Sequence, residues 1–155
     1  MDERHLKRLY IALSVPFGLP SLLLGGVGAF IAAMMGVFAF IRVDADSLRL
    51  GGGLLLWGLA GLSGLLAWVM LSAFWLRGGF AALRAAWVGW WWLLALGMLA
   101  TLPMLVLALT YFSELGLTVL NSLFAGPSLL VPAALLFCLR WLVPAPPATQ
   151  GPDHG

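Results

Sequence analysis

Residues 9–41 read LYIALSVPFGLPSLLLGGVGAFIAAMMGVFAFI, 33 consecutive positions without a charged side chain. As one helix they would run about 50 Å at 1.5 Å per residue, against a hydrocarbon core of about 30 Å. Pro16, Gly18 and Pro20 predict a break within the run. Before that break, Leu6, Leu9, Tyr10, Leu13 and Phe17 recur at i, i+3, i+4, i+7 and i+11, and Arg4, Lys7, Arg8 and Ser14 fall on the other side. This spacing predicts a short amphipathic helix at about 4–15 lying in the membrane interface, followed by a span at 19–41. The run is too long for the core of a cleavable signal peptide, so it is expected in the mature chain.

The rest of the chain follows the same pattern. Apolar residues make up 63% of the 155 positions and charged residues 9%, against about 45–50% and about 25% in an average soluble domain. A soluble fold of this size would leave too much apolar surface in water. Charges gather at 2–8, 42–49, 77–84, 114, 140 and 153, and the uncharged stretches between them predict three further spans at 53–76, 85–112 and 117–143. The expected fold is an all-α membrane protein: one domain over 1–143, with four transmembrane helices in an antiparallel bundle preceded by the interfacial helix. The connections RVDADSLRLGG, RGGFAALR and SELG are short enough to make successive spans antiparallel neighbours. The proline-rich residues 144–155 are expected to form a disordered cytoplasmic tail.

An even number of spans places both termini on one side. That side collects Arg4, Lys7, Arg8, Arg77, Arg84 and Arg140, and the other holds Arg42 and Arg49. The bias predicts cytoplasmic termini. A single lysine beside seven arginines is associated with GC-rich bacterial genomes, so the expected location is a bacterial inner membrane, crossed several times.

Several function classes lose their basis here. A net charge of +2 with no basic run gives nucleic acid nothing to bind. Cys138 is the one cysteine, and His5 and His154 lie near the two ends, so neither a disulfide nor a haem held by two histidines is available. The pair Asp44 and Asp46 has no third acidic ligand nearby and reads as a solvated loop. Membrane enzymes and proton-coupled pumps place ionisable groups at depth. The expected spans hold none that must lie there, so no enzyme, cofactor or metal is expected.

Neutral polar residues remain. Thr118, Asn121, Ala125, Ser128 and Pro132 recur at i, i+3, i+7, i+10 and i+14 along span four. Pro127 and Pro132 leave the carbonyls of Leu123 and Ser128 without their helical donors. A hairpin turning near 114–115 would set Ser128 level with Thr101 and Pro127 near Pro103. Thr101, Pro103, Thr118, Asn121, Pro127 and Ser128 therefore form a paired kink, either enclosing a small hydrated pocket or satisfying one another. Mutual satisfaction is the favoured expectation.

Gly28, Ala32 and Gly36 line one face of the first span, and Ala60, Gly64 and Ala67 one face of the second. Small residues let backbones approach in lipid, so these faces are expected to pack on each other or on a partner. Trp87, Trp90, Trp91 and Trp92 follow Arg84 closely. Neighbouring helical residues diverge by about 100°, which suits an interfacial belt of anchors rather than an aromatic cage. The favoured function is a non-catalytic membrane subunit or accessory protein. It would contact membrane lipids and either a protein partner or a second copy of itself. The alternative is a small transporter or channel for a neutral or lipid-like solute along the polar face of span four. Least favoured is a membrane enzyme using Asn121, Glu114, Asp44 or Asp46.

Overall fold

The computed structural model describes residues 3–41, 45–110 and 127–142, and all of these except residues 86 and 87 are helical. Helix α1 (Glu3–Pro20) passes through a π-helical turn (Ser21–Gly25) directly into α2 (Gly26–Ile41). Helix α3 (Ala45–Ala85) returns alongside, α4 (Val88–Thr110) reverses again, and a 3₁₀ turn (Pro127–Leu129) opens α5 (Leu130–Leu142). Two stretches are long and apolar enough to cross a membrane, Arg4–Ile41 and Asp46–Ala85. Only 22% and 28% of their most apolar windows are buried inside the protein. The 117–126 part of the expected fourth span and the tail 144–155 lie outside the described residues.

The expected break at Pro16–Pro20 does not interrupt the helix, so no separate interfacial helix precedes α2. Proline fixes φ near the helical value and removes one hydrogen bond. Here the helix absorbs Pro16 and Pro20 and widens to π geometry in the next turn, the kind of local adjustment that lets proline persist in apolar helices. The expected apolar face of α1 is only partly inward, with Tyr10 buried, Leu6, Leu13 and Phe17 half-buried and Leu9 exposed. The buried residues here are Tyr10, Ser14, Gly18 and Ser21, and Leu9, Ile11 and Val15 are about half exposed.

The main core unites α1, the second half of α3, the first half of α4, and α5. Tyr10, Trp68, Leu71, Trp75, Leu83, Trp91, Leu94, Leu129, Ala133 and Leu136 form its centre. The basic stretches of α1, α3 and α5 all lie at this end. Within residues 77–84, expected to be a loop, Gly79 is non-helical and divides α3 into two helical segments across a kink. Gly79 bends the helix there with φ 62° and ψ −149°, a conformation essentially reserved for glycine. The bend folds Phe80 edge-on against Trp75, with ring centroids 4.7 Å apart, and carries Leu83 into the core.

The other half of the molecule is thinner. Among the described residues, α2 packs mainly along α3, with Ala29, Ala32 and Gly36 buried. A Cβ on Gly36 would come within 2.7 Å of the Leu55 amide nitrogen, and one on Gly58 within 2.6 Å of the Ala29 carbonyl oxygen. These glycines set how closely the two backbones approach. Val27, Ile31, Met34 and Phe38 point away from this seam and are exposed.

Candidate functional site

The polar interior is a file of hydroxyls between α1, α3 and α5. Residues 10, 14, 18 and 21 share one face of α1, and α3 opposes them with Trp68 and Ser72, one turn apart. The Ser72 hydroxyl donates to the Trp68 carbonyl at 2.6 Å. Ser72 therefore accepts from the Tyr10 hydroxyl, 2.5 Å away, and the two bonds point in one direction. A Cβ on Gly18 would meet the Trp68 indole at 2.5 Å, so the ring occupies space that only glycine leaves. Further along, the π-helical turn presents Ser21 to Ser128 of the 3₁₀ turn, and the two buried hydroxyls share a hydrogen bond. The Ser14 hydroxyl and the indole N–H groups of Trp68, Trp75 and Trp91 are buried with no hydrogen-bond partner.

The described lining of this file carries no formal charge, and cations appear at its basic end. The Lys7 ammonium lies 5.8 Å from the centroid of the Trp75 ring. The Arg140 guanidinium lies 4.5 Å from that of Trp91 and 5.8 Å from that of Trp141. Such contacts gain strength where water is excluded. Among the described residues, no three His, Cys, Asp or Glu side chains gather as metal ligands would.

The described polar residues that the sequence grouped take hydrogen-bond partners outside the group. Ser128 pairs with Ser21, whereas the Thr101 hydroxyl donates to the Met98 carbonyl of its own helix at 2.7 Å. Pro127 begins the 3₁₀ turn. Pro103 borders an outer groove of about 580 Å³ between α3 and α4, lined also by Trp57, Ala60, Ser63 and Leu99. Beside it, the Trp57 indole donates to the Ala100 carbonyl at 2.7 Å and ties the two helices together. Thr118 and Asn121 lie outside the described residues, as do Glu114 and Asp44.

The small-residue faces also divide. Ala32 and Gly36 lie in the α2–α3 seam, but Gly28 is exposed with open space around it. Across that seam Gly36 meets Gly51 and Leu55 of α3, and Ala29 meets Gly58 and Gly61. Gly64 instead meets Gly97 of α4 backbone to backbone, Ala67 is fully buried in the core, and Ala60 faces the outer groove. Of the four tryptophans, Trp87 and Trp92 are largely exposed and Trp90 is half-buried. Trp91 is 5% exposed and packs edge-on against Phe137 with centroids 5.2 Å apart, which makes it a core residue. Sequence reading missed Tyr10 and Ser21 as interior groups. Their signal was the recurrence of small or polar residues at 10, 14, 18 and 21.

No protein-family model, curated protein or solved structure matches this chain.

Proposed function

We propose that the chain is a multi-pass protein of a bacterial inner membrane, both termini cytoplasmic, acting as a non-catalytic accessory subunit. It would associate with a protein partner or a second copy of itself through helix packing. The observation that carries this reading is the attachment of α2. Its alanine and glycine edge is consumed by α3, and among the described residues the opposite face presents Val27, Ile31, Met34 and Phe38 outward. An apolar face this long suits lipid or another apolar helix and is costly in water. A groove of about 570 Å³ lies beside it at the end of α2, lined by Met35, Phe38, Ala39, Asp46, Ser47 and Leu50. It has the form to receive a side chain from a neighbouring helix.

The described polar groups of span four support packing over passage of a solute. Ser128 is engaged by Ser21, and no described hydroxyl on that element is left for a guest. The gathering of Arg4, Lys7, Arg8, Arg77, Arg84 and Arg140 at one end supports the orientation. The test begins with alkaline carbonate washing of membranes that hold the protein at native abundance, followed by mild detergent and native mass spectrometry. We expect the chain to resist the wash and to emerge in a stoichiometric assembly heavier than one copy. A chain released by carbonate would refute the membrane reading, and a strictly single-copy particle would refute the subunit reading.

A further inference from the structure

The two ends of the bundle differ sharply in charge. Arg4, Lys7, Arg8, Arg77, Arg84 and Arg140 share the end built from the start of α1, the end of α3 and the end of α5. Among the described residues, Glu3 is the carboxylate at that end, and Asp46 lies at the start of α3, far from it.

Arg140 is the cation that the fold holds most closely. Its guanidinium stacks over Trp91, which is buried and braced by Phe137, one turn earlier on Arg140's own helix. A guanidinium held by its face keeps its edge, with five N–H donors in a fixed fork, for an oxyanion. The half-buried position of Arg140 also reduces screening by salt. Two further cations lie at about the same depth. The antiparallel register that joins Ser21 to Ser128 sets Lys7 and Arg8 level with Trp141 to within about one helical turn. Leu9 and Trp141, 48% and 76% exposed, add apolar surface at that depth.

We propose that this end docks the phosphate of an anionic phospholipid, an inference that rests on the membrane reading above. Arg140 grips the phosphate oxygens through two N–H groups, Lys7 or Arg8 supplies the second positive charge, and Leu9 and Trp141 lie along the glycerol and upper acyl region. A soluble phosphate ester offers the same oxyanion but has no use for the exposed apolar surface. Basic pockets between membrane helices on the cytoplasmic side recognise anionic headgroups through the same combination of charge and depth.

The experiment uses the full chain in phosphatidylcholine nanodiscs doped with phosphatidylglycerol, with retained lipid counted by native mass spectrometry. We expect phosphatidylglycerol to be retained in preference to phosphatidylcholine. Arg140→Gln should weaken that retention about tenfold, as loss of one charge-assisted bidentate contact implies. Arg140→Lys should fall between, and Arg49→Gln, at the far end, should change nothing. Equal retention of both lipids, or unchanged retention in Arg140→Gln, overturns the site. Displacement of the lipid by millimolar inorganic phosphate overturns the lipid assignment. If Arg140→Gln fails to fold, Arg140→Lys decides, and wild-type retention in it counts against the bidentate grip. Carbonate extraction of the same proteins reports separately: a chain that stays in the membrane without lipid preference refutes the site alone, and one that washes out refutes both readings.

Discussion

Ser21 and Ser128 are 107 positions apart in the chain and share a hydrogen bond inside the bundle. A π-helical turn supplies one hydroxyl and a 3₁₀ turn the other, so two departures from α-helical geometry meet at one contact. Both follow from proline, Pro20 immediately before the first and Pro127 opening the second. A double-mutant cycle with Ser21→Ala and Ser128→Ala should show coupling of about 0.6 kcal/mol, and no more than about 1.7, the range of such bonds in membranes. Strictly additive losses in reversible unfolding would show that the hydroxyls do not depend on each other.

Gly79 carries the kink between the two helical segments of α3. Gly79→Ala should destabilise the protein by about 1–3 kcal/mol, because its positive φ with this ψ is strained for any residue with a Cβ. The loss would appear as a lower midpoint in thermal or denaturant unfolding. A midpoint equal to wild type would place the bend elsewhere.

The two glycines assigned by sequence to one packing face should behave oppositely. Gly36→Leu forces a side chain into the Leu55 backbone and should cost about 1–3 kcal/mol. Gly28→Leu meets open space and should leave the stability of the isolated chain within about 0.5 kcal/mol of wild type. Equal losses at both positions would contradict the seam.

Trp91 and Trp87 make a similar contrast. Trp91→Ala opens the core beneath Arg140 and should cost about 3–5 kcal/mol. Trp87→Ala removes an exposed ring and should unfold close to wild type in detergent. The reverse order would return Trp91 to the interfacial belt.

Composition and charge spacing made the helical, apolar character of the chain legible, because both are properties of whole segments. Local detail was less legible, for identifiable reasons. Pro16 and Pro20 predicted a break, yet a helix in apolar surroundings keeps its remaining hydrogen bonds and accommodates proline by changing pitch. The Gly78–Gly79 pair read as part of a connection, and Gly79 does break the helix there, but a second helical segment follows directly, so the break is shorter than the expected 77–84 loop. Small-residue spacing selected Ala32 and Gly36, both buried on α2. On α3 it selected Ala60 and Gly64, although Gly51, Gly58 and Gly61 make the seam with α2, because spacing alone does not say which face meets which neighbour. The depth argument set Ser128 level with Thr101 and considered only the last hairpin as a source of hydrogen-bond partners. The hydrogen-bond partner of Ser128 is Ser21, from the π-helical turn after α1, a relationship that no local pattern contains.

Site-specific photo-crosslinking within intact membranes tests the subunit reading most directly. A photoreactive residue replaces Ile31 or Phe38 on the outward face of α2, or Ala32 in its seam with α3. We expect positions 31 and 38 to yield a discrete adduct with another protein chain, and position 32 to yield products within the chain. Lipid adducts alone from positions 31 and 38, with every protein product at the mass of a single chain, would contradict the proposal.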